Sequence, residues 1–318
     1  WSEKIFVGAN YDFMGKRKIF YMISGVLIGA GILSMVTIGF NWGVDFSGGR
    51  MYVVKFANDV KVDEVRNALE PNFVNAEGVK STSNVKTYGG SKQVKITTNF
   101  LVEQTDGGAD ALVEAALNKG LSGLGNTYEI RESRKVDATI SDDIKFSAIT
   151  SVALALLFIF LYVAVRFKNW QFGVGALLSL LHDALALLGL YSILYKVMPF
   201  SMEIDEAFIA AILTVIGYSI NDTVVVFDRI REYMQDHKRE SNITVINKAI
   251  NSTLGRTMNT SLTTLLVLFV IFLFGGVSIK GFIFALLIGI LVGTYSSVFV
   301  ASSFVVDLLK GKERKENI

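Results

Sequence analysis

Two charged residues, Asp222 and Arg256, lie in parts of the chain that otherwise have the composition of membrane helices. Asp222 lies within the apolar run Ala207–Phe227, and Arg256 begins the next apolar run, one helical turn before Thr260. A carboxylate inside hydrocarbon costs roughly 2.5–3.5 kcal/mol on insertion scales, so such a group is retained where it has a partner or a function. An acid and a base on consecutive membrane helices, accompanied by hydroxyl groups, predict an ion or proton path rather than a lipid anchor.

Further polar side chains share one face of the predicted helix with Asp222. In steps of three or four residues, Thr214, Tyr218 and Asn221 share a face with it, whereas the other faces carry Ile, Val and Ala. We therefore expect this polar stripe to face inward, toward other helices or a wet cavity, and Arg256 and Thr260 to repeat the pattern on the next helix. The alternative is a buried ion pair that only fixes helix register, although such pairs often give no net stability.

A carboxyl group in such a place can bind and release a proton in turn. Burial favours the neutral form of an acid, and a nearby arginine favours its ionised form. Approach of Arg256 to Asp222 would release the proton, and separation would allow its uptake. One charge crossing 100 mV is worth about 2.3 kcal/mol, which is enough to drive a conformational cycle.

His182 and Asp183 form a second polar pair near the middle of another apolar run, Phe172–Met198. An imidazole changes charge near neutral pH. Two interpretations stay open for this pair. It belongs to the same proton relay, or it is a hydrogen-bonded pair that ties the second, third and fourth membrane helices together.

A glycine-rich element follows the first apolar run and includes Asp45, Gly48 and Gly49. Glycine adopts backbone conformations that other residues resist, which suits turns and hinges. The element is therefore either a simple connector at a helix end or a hinge on which an outer domain moves.

The composition limits the possible functions. Of 318 residues, 51% are hydrophobic and only 19% are charged, which is too apolar for an ordinary soluble protein. The chain has no cysteine, so it forms no disulfide and no thiolate metal site. The net charge of +2 argues against nucleic-acid binding. The sequence has no phosphate-binding loop, dinucleotide motif, zinc motif or serine-nucleophile motif, so we expect no cofactor, no enzymatic activity and energy from an ion gradient or another subunit.

Six apolar runs are long enough to cross a bilayer, at roughly 20 residues each. Lys and Arg concentrate before the first run, after the second, between the fourth and fifth, and after the sixth. By the positive-inside rule both termini are then cytoplasmic. The runs are Ile19–Phe40, Ile144–Val165, Phe172–Met198, Ala207–Phe227, Met258–Phe274 and Phe282–Leu309.

The polar segment between the first two runs has the pattern of a folded domain. Its strand and helix signals follow the order βαββαβ, which predicts a ferredoxin-like α+β domain on the outer side. The predicted organisation is residues 1–40 (cytoplasmic N-terminus and first span), 41–143 (periplasmic domain), 144–309 (spans two to six) and 310–318 (cytoplasmic tail). Because the sequence starts at Trp1 rather than Met, we expect a further piece to precede it.

Five stretches together resemble the SecF family, the membrane subunits that pair with SecD in the SecDF export factor of the resistance-nodulation-division superfamily. They are Phe13–Lys18, Val44–Gly49, His182–Asp183, Gly217–Glu232 and Arg256–Thr264. The last two are the most specific, and Val44–Gly49 also occurs in SecD.

The resemblance implies an auxiliary subunit of the Sec translocase in the bacterial inner membrane. With SecD, as a separate chain or as the other half of the same chain, it would use proton flow to pull preproteins from the SecYEG channel. It implies that Asp222 and Arg256 belong to the proton path and that Thr260 lies one turn further along it. Three other readings remain: a small-molecule or lipid exporter of the same superfamily, an intramembrane aspartyl protease using Asp183 and Asp222, and a structural scaffold.

Overall fold

The computed structural model describes residues 10–74, 81, 83–104 and 108–309. Within these residues, six helical segments are long and apolar enough to cross a membrane. They are α1 (Arg17–Thr37), α5 (Ala138–Phe167), α6 (Trp170–Leu194), α7 (Glu206–Asp236), α8 (Asn242–Phe274) and a sixth span, Val277–Leu309. The predicted six-span bundle is confirmed.

The sixth span is not a continuous α-helix. It consists of α9 (Val277–Tyr295), a π-helical turn (Ser296–Ala301) and α10 (Ser302–Leu309). π-Helical turns inside α-helices occur frequently at functional sites.

A small α+β unit, here called the sheet domain, lies between α1 and α5. After a short helix, α2 (Val44–Ser47), its elements are β1 (Gly49–Phe56), α3 (Val62–Leu69), β2 (Ser83–Gly90), β3 (Gln93–Thr98), α4 (Gly108–Ser122) and β4 (Tyr128–Val136). The antiparallel sheet has the order β2-β3-β1-β4. This order and the βαββαβ sequence are those of a ferredoxin-like fold, as predicted.

The sheet domain has its own core on the helix side of the sheet. Phe56, Val65, Phe73 and Leu117 are buried there between the strands and α3 and α4. Strand β1 is buried on both faces, apart from Lys55, because its other face packs toward the membrane bundle.

Several helices extend beyond the apolar runs that predicted them. Helix α8 begins at Asn242, well before Met258, because Ser241 accepts a hydrogen bond from the backbone N–H of Thr244 and caps its N-terminus. Helix α5 begins at Ala138, so the predicted domain boundary after Asp143 falls inside a helix.

Close helix contacts fix the centre of the bundle. A Cβ atom on Gly289 would lie 2.1 Å from Val215 Cγ2, and one on Gly293 would lie 3.0 Å from Ser219 Cβ. Helix α9 therefore approaches α7 closely only because these two positions are glycine. This approach positions the polar groups described next.

Candidate functional site

Asp222 lies in the interior of α7, about 24 Å from the start of that helix and about 21 Å from its end. Its side chain is buried at 5% exposure, and Oδ2 has no hydrogen-bond partner among the described residues. A buried carboxylate without a partner is costly, so it is unusual in a group that only stabilises a fold.

Arg256 does not contact Asp222 directly. The described residues contain no ion pair between them, and Arg256 is exposed near the middle of α8. This conformation therefore has no direct contact between the two side chains, and the approach of Arg256 to Asp222 in another state stays a prediction.

A cavity of about 540 Å³ opens between the C-terminal part of α7 and residues 252–256 of α8. Arg256 and Val225 line it, and Asp222 lies one helical turn deeper than Val225 on nearly the same face of α7. Other lining groups form local ion pairs, including Arg229 with Glu232 at 2.7 Å. The cavity therefore reaches Arg256 but not Asp222.

The polar stripe of α7 faces the interior of this chain only in part, since Asp222 is buried. Thr214 and Asn221 are exposed, and Tyr218 is half-buried with its hydroxyl 3.4 Å from Thr264 Oγ1 on α8. Helical periodicity identified the shared face correctly but could not tell whether that face meets the same chain or another one.

Thr260 also lies on the exposed surface. Its hydroxyl donates to the carbonyl oxygen of Arg256, four residues earlier in the same helix, at 3.0 Å. Thr214, Asn221 and Thr260 are exposed polar side chains of α7 and α8, here called the polar face, although Asn221 also borders Phe158 and Ile159 of α5. Exposed polar groups at membrane depth normally face a partner or a water-filled path.

Asp183 forms a second centre, fully buried on α6. The Ser219 hydroxyl on α7 donates to Asp183 Oδ2 at 2.6 Å, and His182 Nδ1 lies 3.1 Å from Asp183 Oδ1. The pair therefore ties α6 to α7. In the described residues, no hydrogen bond joins Asp183 to Asp222, which leaves the two acids without the shared proton that an aspartyl protease needs.

Hydroxyl groups extend this centre toward Asp222. Thr223 donates to Ser297 Oγ at 2.9 Å, and Ser297 donates in turn to the carbonyl oxygen of Ser219 at 3.1 Å. Ser297 lies in the π-helical turn, so the network joins the third, fourth and sixth spans rather than the second, third and fourth. Thr223 is the residue after Asp222 in the chain.

Sequence reasoning missed Ser219, Thr223 and Ser297. Ser219 and Thr223 lie four residues apart on one helix face, which was the available signal. Isolated hydroxyl residues are common in membrane helices and bond to their own backbone, so this spacing alone did not single them out.

Asp45 holds the sheet domain against the bundle. Its buried carboxylate lies 2.9 Å from Arg134 on β4 and accepts a hydrogen bond from the Glu206 backbone N–H at the start of α7. Gly48 and Gly49 follow with φ of 67° and 115°, and a Cβ atom on Gly49 would lie 2.4 Å from the Thr98 carbonyl oxygen. Glycine is required there both by backbone conformation and by close approach.

Comparison with known proteins places this arrangement in a family. The family model for the C-terminal part of the protein-export membrane proteins SecD and SecF matches residues 116–311, and the model of the SecD/SecF GG motif matches residues 33–60. The protein translocase subunit SecF of Rhodothermus marinus is 42% identical over 306 residues, which are 96% of this chain and 95% of that protein. This chain belongs to the SecF family.

Another SecF, from Haemophilus influenzae, is 34% identical over 93% of this chain and 86% of that protein. A crystal structure of SecDF, described as a translocon-associated membrane protein from Thermus thermophilus, matches with a TM-score of 0.80 and 31% identity over 95% of this chain. The SecF-family chain spans only 39% of that SecDF chain. It is therefore a multi-pass membrane protein with the fold of one part of SecDF.

Proposed function

We propose that this chain is an auxiliary subunit of the bacterial Sec translocase that uses the proton gradient, together with SecD, to promote preprotein export. The proposal rests on the environment of Asp222. Its carboxylate is buried and has no hydrogen-bond partner in the described structure, and exposed polar side chains of α7 and α8 lie near it along the chain. Its position suits a group whose protonation state changes during a cycle.

The proposed chemistry is a proton exchange at Asp222. The dry surroundings favour its neutral form when Arg256 is distant, and the guanidinium favours the carboxylate when it approaches. The cavity beside Arg256 and Val225 gives the released proton a route to water. Tyr218, Asn221 and Thr260 supply the polar groups along this route.

Asp183 and His182 take a linking role in this proposal. Through Ser219, Ser297 and Thr223, their network reaches the chain position next to Asp222. A change of charge at Asp222 alters the electrostatic potential at these hydroxyl groups. Their hydrogen bonds then rearrange, and this rearrangement reaches α6 and the π-helical turn.

The partner that completes the site is SecD, as a separate chain or as part of the same polypeptide. Many transporters place their coupling site at the interface of two repeats, and this chain supplies one. The polar face formed by Asn221, Thr260 and their neighbours then meets SecD rather than lipid.

The orientation follows from charge. The Lys- and Arg-rich loops lie on the cytoplasmic side of the plasma membrane. Residues 41–143 are then periplasmic, and residues 144–309 contain spans two to six. Segment 1–40 contains the cytoplasmic N-terminus and the first span, and segment 310–318 is the cytoplasmic tail. The sheet domain then receives preprotein leaving the SecYEG channel, and Gly48 and Gly49 are the hinge on which it moves.

Cysteine cross-linking tests the interface, since the chain has no cysteine of its own. Asn221→Cys on α7 is expected to cross-link to SecD in native membranes. Val26→Cys is the control, because Val26 is 68% exposed on α1, which packs on α6 rather than on α7 or α8. Equal cross-linking of both variants, or none at Asn221, would argue against a SecD interface on the polar face.

A reconstitution experiment tests the coupling itself. The chain is expected to stimulate preprotein import into SecYEG proteoliposomes, in a proton-gradient-dependent way, only when SecD is present. Robust stimulation by this chain with SecD demonstrably absent would contradict the proposal.

A further inference from the structure

A cavity of about 430 Å³ separates the sheet domain from the loop between α6 and α7. Helix α3 and strand β2 form its domain side, and residues 195–200 form its bundle side. The lining groups used below are Arg66, Asn84, Lys86, Tyr195, Lys196 and Phe200.

Two lysines flank the same aromatic ring in this cavity. Lys86 Nζ lies 5.5 Å and Lys196 Nζ lies 5.7 Å from the centre of the Tyr195 ring. Neither amine has a carboxylate partner in the described part of the chain, whereas Lys61, Lys95 and Lys135 of the sheet domain each have one. Two cations around one ring repel each other, and an anion between or beside them would offset this repulsion.

The Lys86 amine gives the stronger indication of an anion-binding site. Its Nζ is buried and has no hydrogen-bond partner among the described residues. The neighbouring carboxylate, Glu203, is already bound by Lys95 Nζ at 2.6 Å and by the Ser201 hydroxyl at 2.9 Å. Burial lowers the pKa of Lys86, and the Lys95 charge adds to this effect while Glu203 opposes it.

A third cation is available at the edge of the cavity. Arg66 pairs with Asp63 at 2.7 Å, but this ion pair is exposed. An exposed pair of this kind is weak, so its guanidinium can turn toward a bound anion at little cost. Asn84 adds an amide to the same lining.

The cavity lies at the edge of the apolar part of the bundle. The Tyr195 hydroxyl donates to the carbonyl oxygen of Ile38, just past the end of the membrane helix α1. Beside it, Val197 is 74% exposed and Phe200 closes one wall of the cavity. Tyrosine and lysine at a span end are typical of the level of lipid headgroups.

We propose that this cavity binds the phosphate of an anionic phospholipid headgroup, held by Lys86 and Lys196 against the Tyr195 ring. The exposed apolar surface at Val197 and Ile38 accommodates the start of the acyl chains, which a free phosphate would not use. The bound lipid bridges β2 of the sheet domain and the α6–α7 loop. It therefore stabilises the packing of the domain against the membrane surface.

Lipid titration of the purified full-length chain tests the site, with short-chain phosphatidylglycerol and phosphatidylcholine as probes and native mass spectrometry as the readout. Phosphatidylglycerol is expected to bind more tightly than phosphatidylcholine. Lys86→Gln and Lys196→Gln should each weaken phosphatidylglycerol binding about five-fold, since one cation near a membrane surface contributes roughly that factor. Lys196 is exposed, so its variant keeps the test valid if Lys86→Gln folds poorly.

Lys280→Gln is the matched control. Lys280 lies on the same side of the bundle, and its Nζ is 5.8 Å from the Phe272 ring, but it does not line the cavity. Its variant should bind phosphatidylglycerol like the unmodified chain. Unchanged binding in both Lys86→Gln and Lys196→Gln would overturn the proposal. Inorganic phosphate that displaces the lipid at equal concentration would identify a soluble anion as the ligand and overturn the lipid assignment.

Discussion

The Ser219 hydroxyl on α7 donates a 2.6 Å hydrogen bond to Asp183 Oδ2 on α6, inside the membrane bundle. Asp183 is fully buried, and Ser219 lies three residues before Asp222 on the same helix. The two intramembrane acids are therefore joined through one helix turn, although they do not touch.

Replacing Ser219 by alanine should destabilise the bundle by about 1–2 kcal/mol, because Asp183 Oδ2 loses its short hydrogen bond in a dry environment. Thermal unfolding in detergent measures the loss. Ser151→Ala is the control, since Ser151 is exposed on α5 and should tolerate the change. If both variants unfold at the temperature of the unmodified chain, the Ser219–Asp183 bond does not support the bundle.

The Asp45–Arg134 ion pair should restrict movement of the sheet domain. Asp45→Asn weakens the contacts of this side chain with both β4 and the start of α7. Spin labels at Lys92→Cys and Val197→Cys should then give a broader distance distribution in double electron–electron resonance. Both positions are exposed, and the absence of native cysteine makes the labelling specific.

Glu129→Gln provides the comparison for this experiment. Glu129 pairs with Arg131 at 2.8 Å within β4, so its removal breaks an ion pair that does not reach the bundle. The distance distribution should stay narrow in this variant. A distribution that is equally narrow in Asp45→Asn would show that the ion pair does not limit the domain.

Asp110 should make the sheet domain sensitive to acid. The Arg50 guanidinium and the Lys135 ammonium hydrogen-bond its carboxylate and lower its pKa from the ordinary value of 3.8. A carboxyl group with a lowered folded-state pKa stabilises the fold above its ordinary pKa, and this contribution is lost as the pH falls through the folded-state pKa. Asp110→Asn should therefore lower the unfolding temperature at pH 7, with a difference that shrinks in acid.

Asp63→Asn separates this effect from the loss of any surface charge. Asp63 forms an exposed pair with Arg66 on one turn of α3, so its removal should change the unfolding temperature little. Asp110 differs because its partner Arg50 is buried at 3% exposure. A pH-independent difference between Asp110→Asn and the unmodified chain would contradict the assignment.

The sequence predicted the six spans and the order of strands and helices in the sheet domain because both depend on local patterns. Long apolar runs specify membrane helices, and short alternating runs separated by turns specify strands. Asp222 was also identifiable from sequence, because an ionisable residue within an apolar run such as Ala207–Phe227 is rare and costly.

The contacts between distant elements were not predictable in the same way. Asp45 forms an ion pair with Arg134, and Thr223 donates a hydrogen bond to Ser297, although the partners are far apart in the sequence. Side chains of ordinary type carry no local signal for such pairings. The surroundings of Asn221, which is exposed on this chain, were not predictable because periodicity defines a helix face but not the molecule that covers it.

The central claim is that a proton passes through Asp222, and proton flux measures it most directly. Proteoliposomes containing this chain and SecD, with a pH-sensitive dye inside, should acidify under an imposed gradient. Asp222→Asn should abolish the acidification, whereas Asp142→Asn should not, since Asp142 is exposed on α5 and pairs with Lys145 at 2.8 Å. Proton flux in Asp222→Asn equal to that of the unmodified chain would contradict the account.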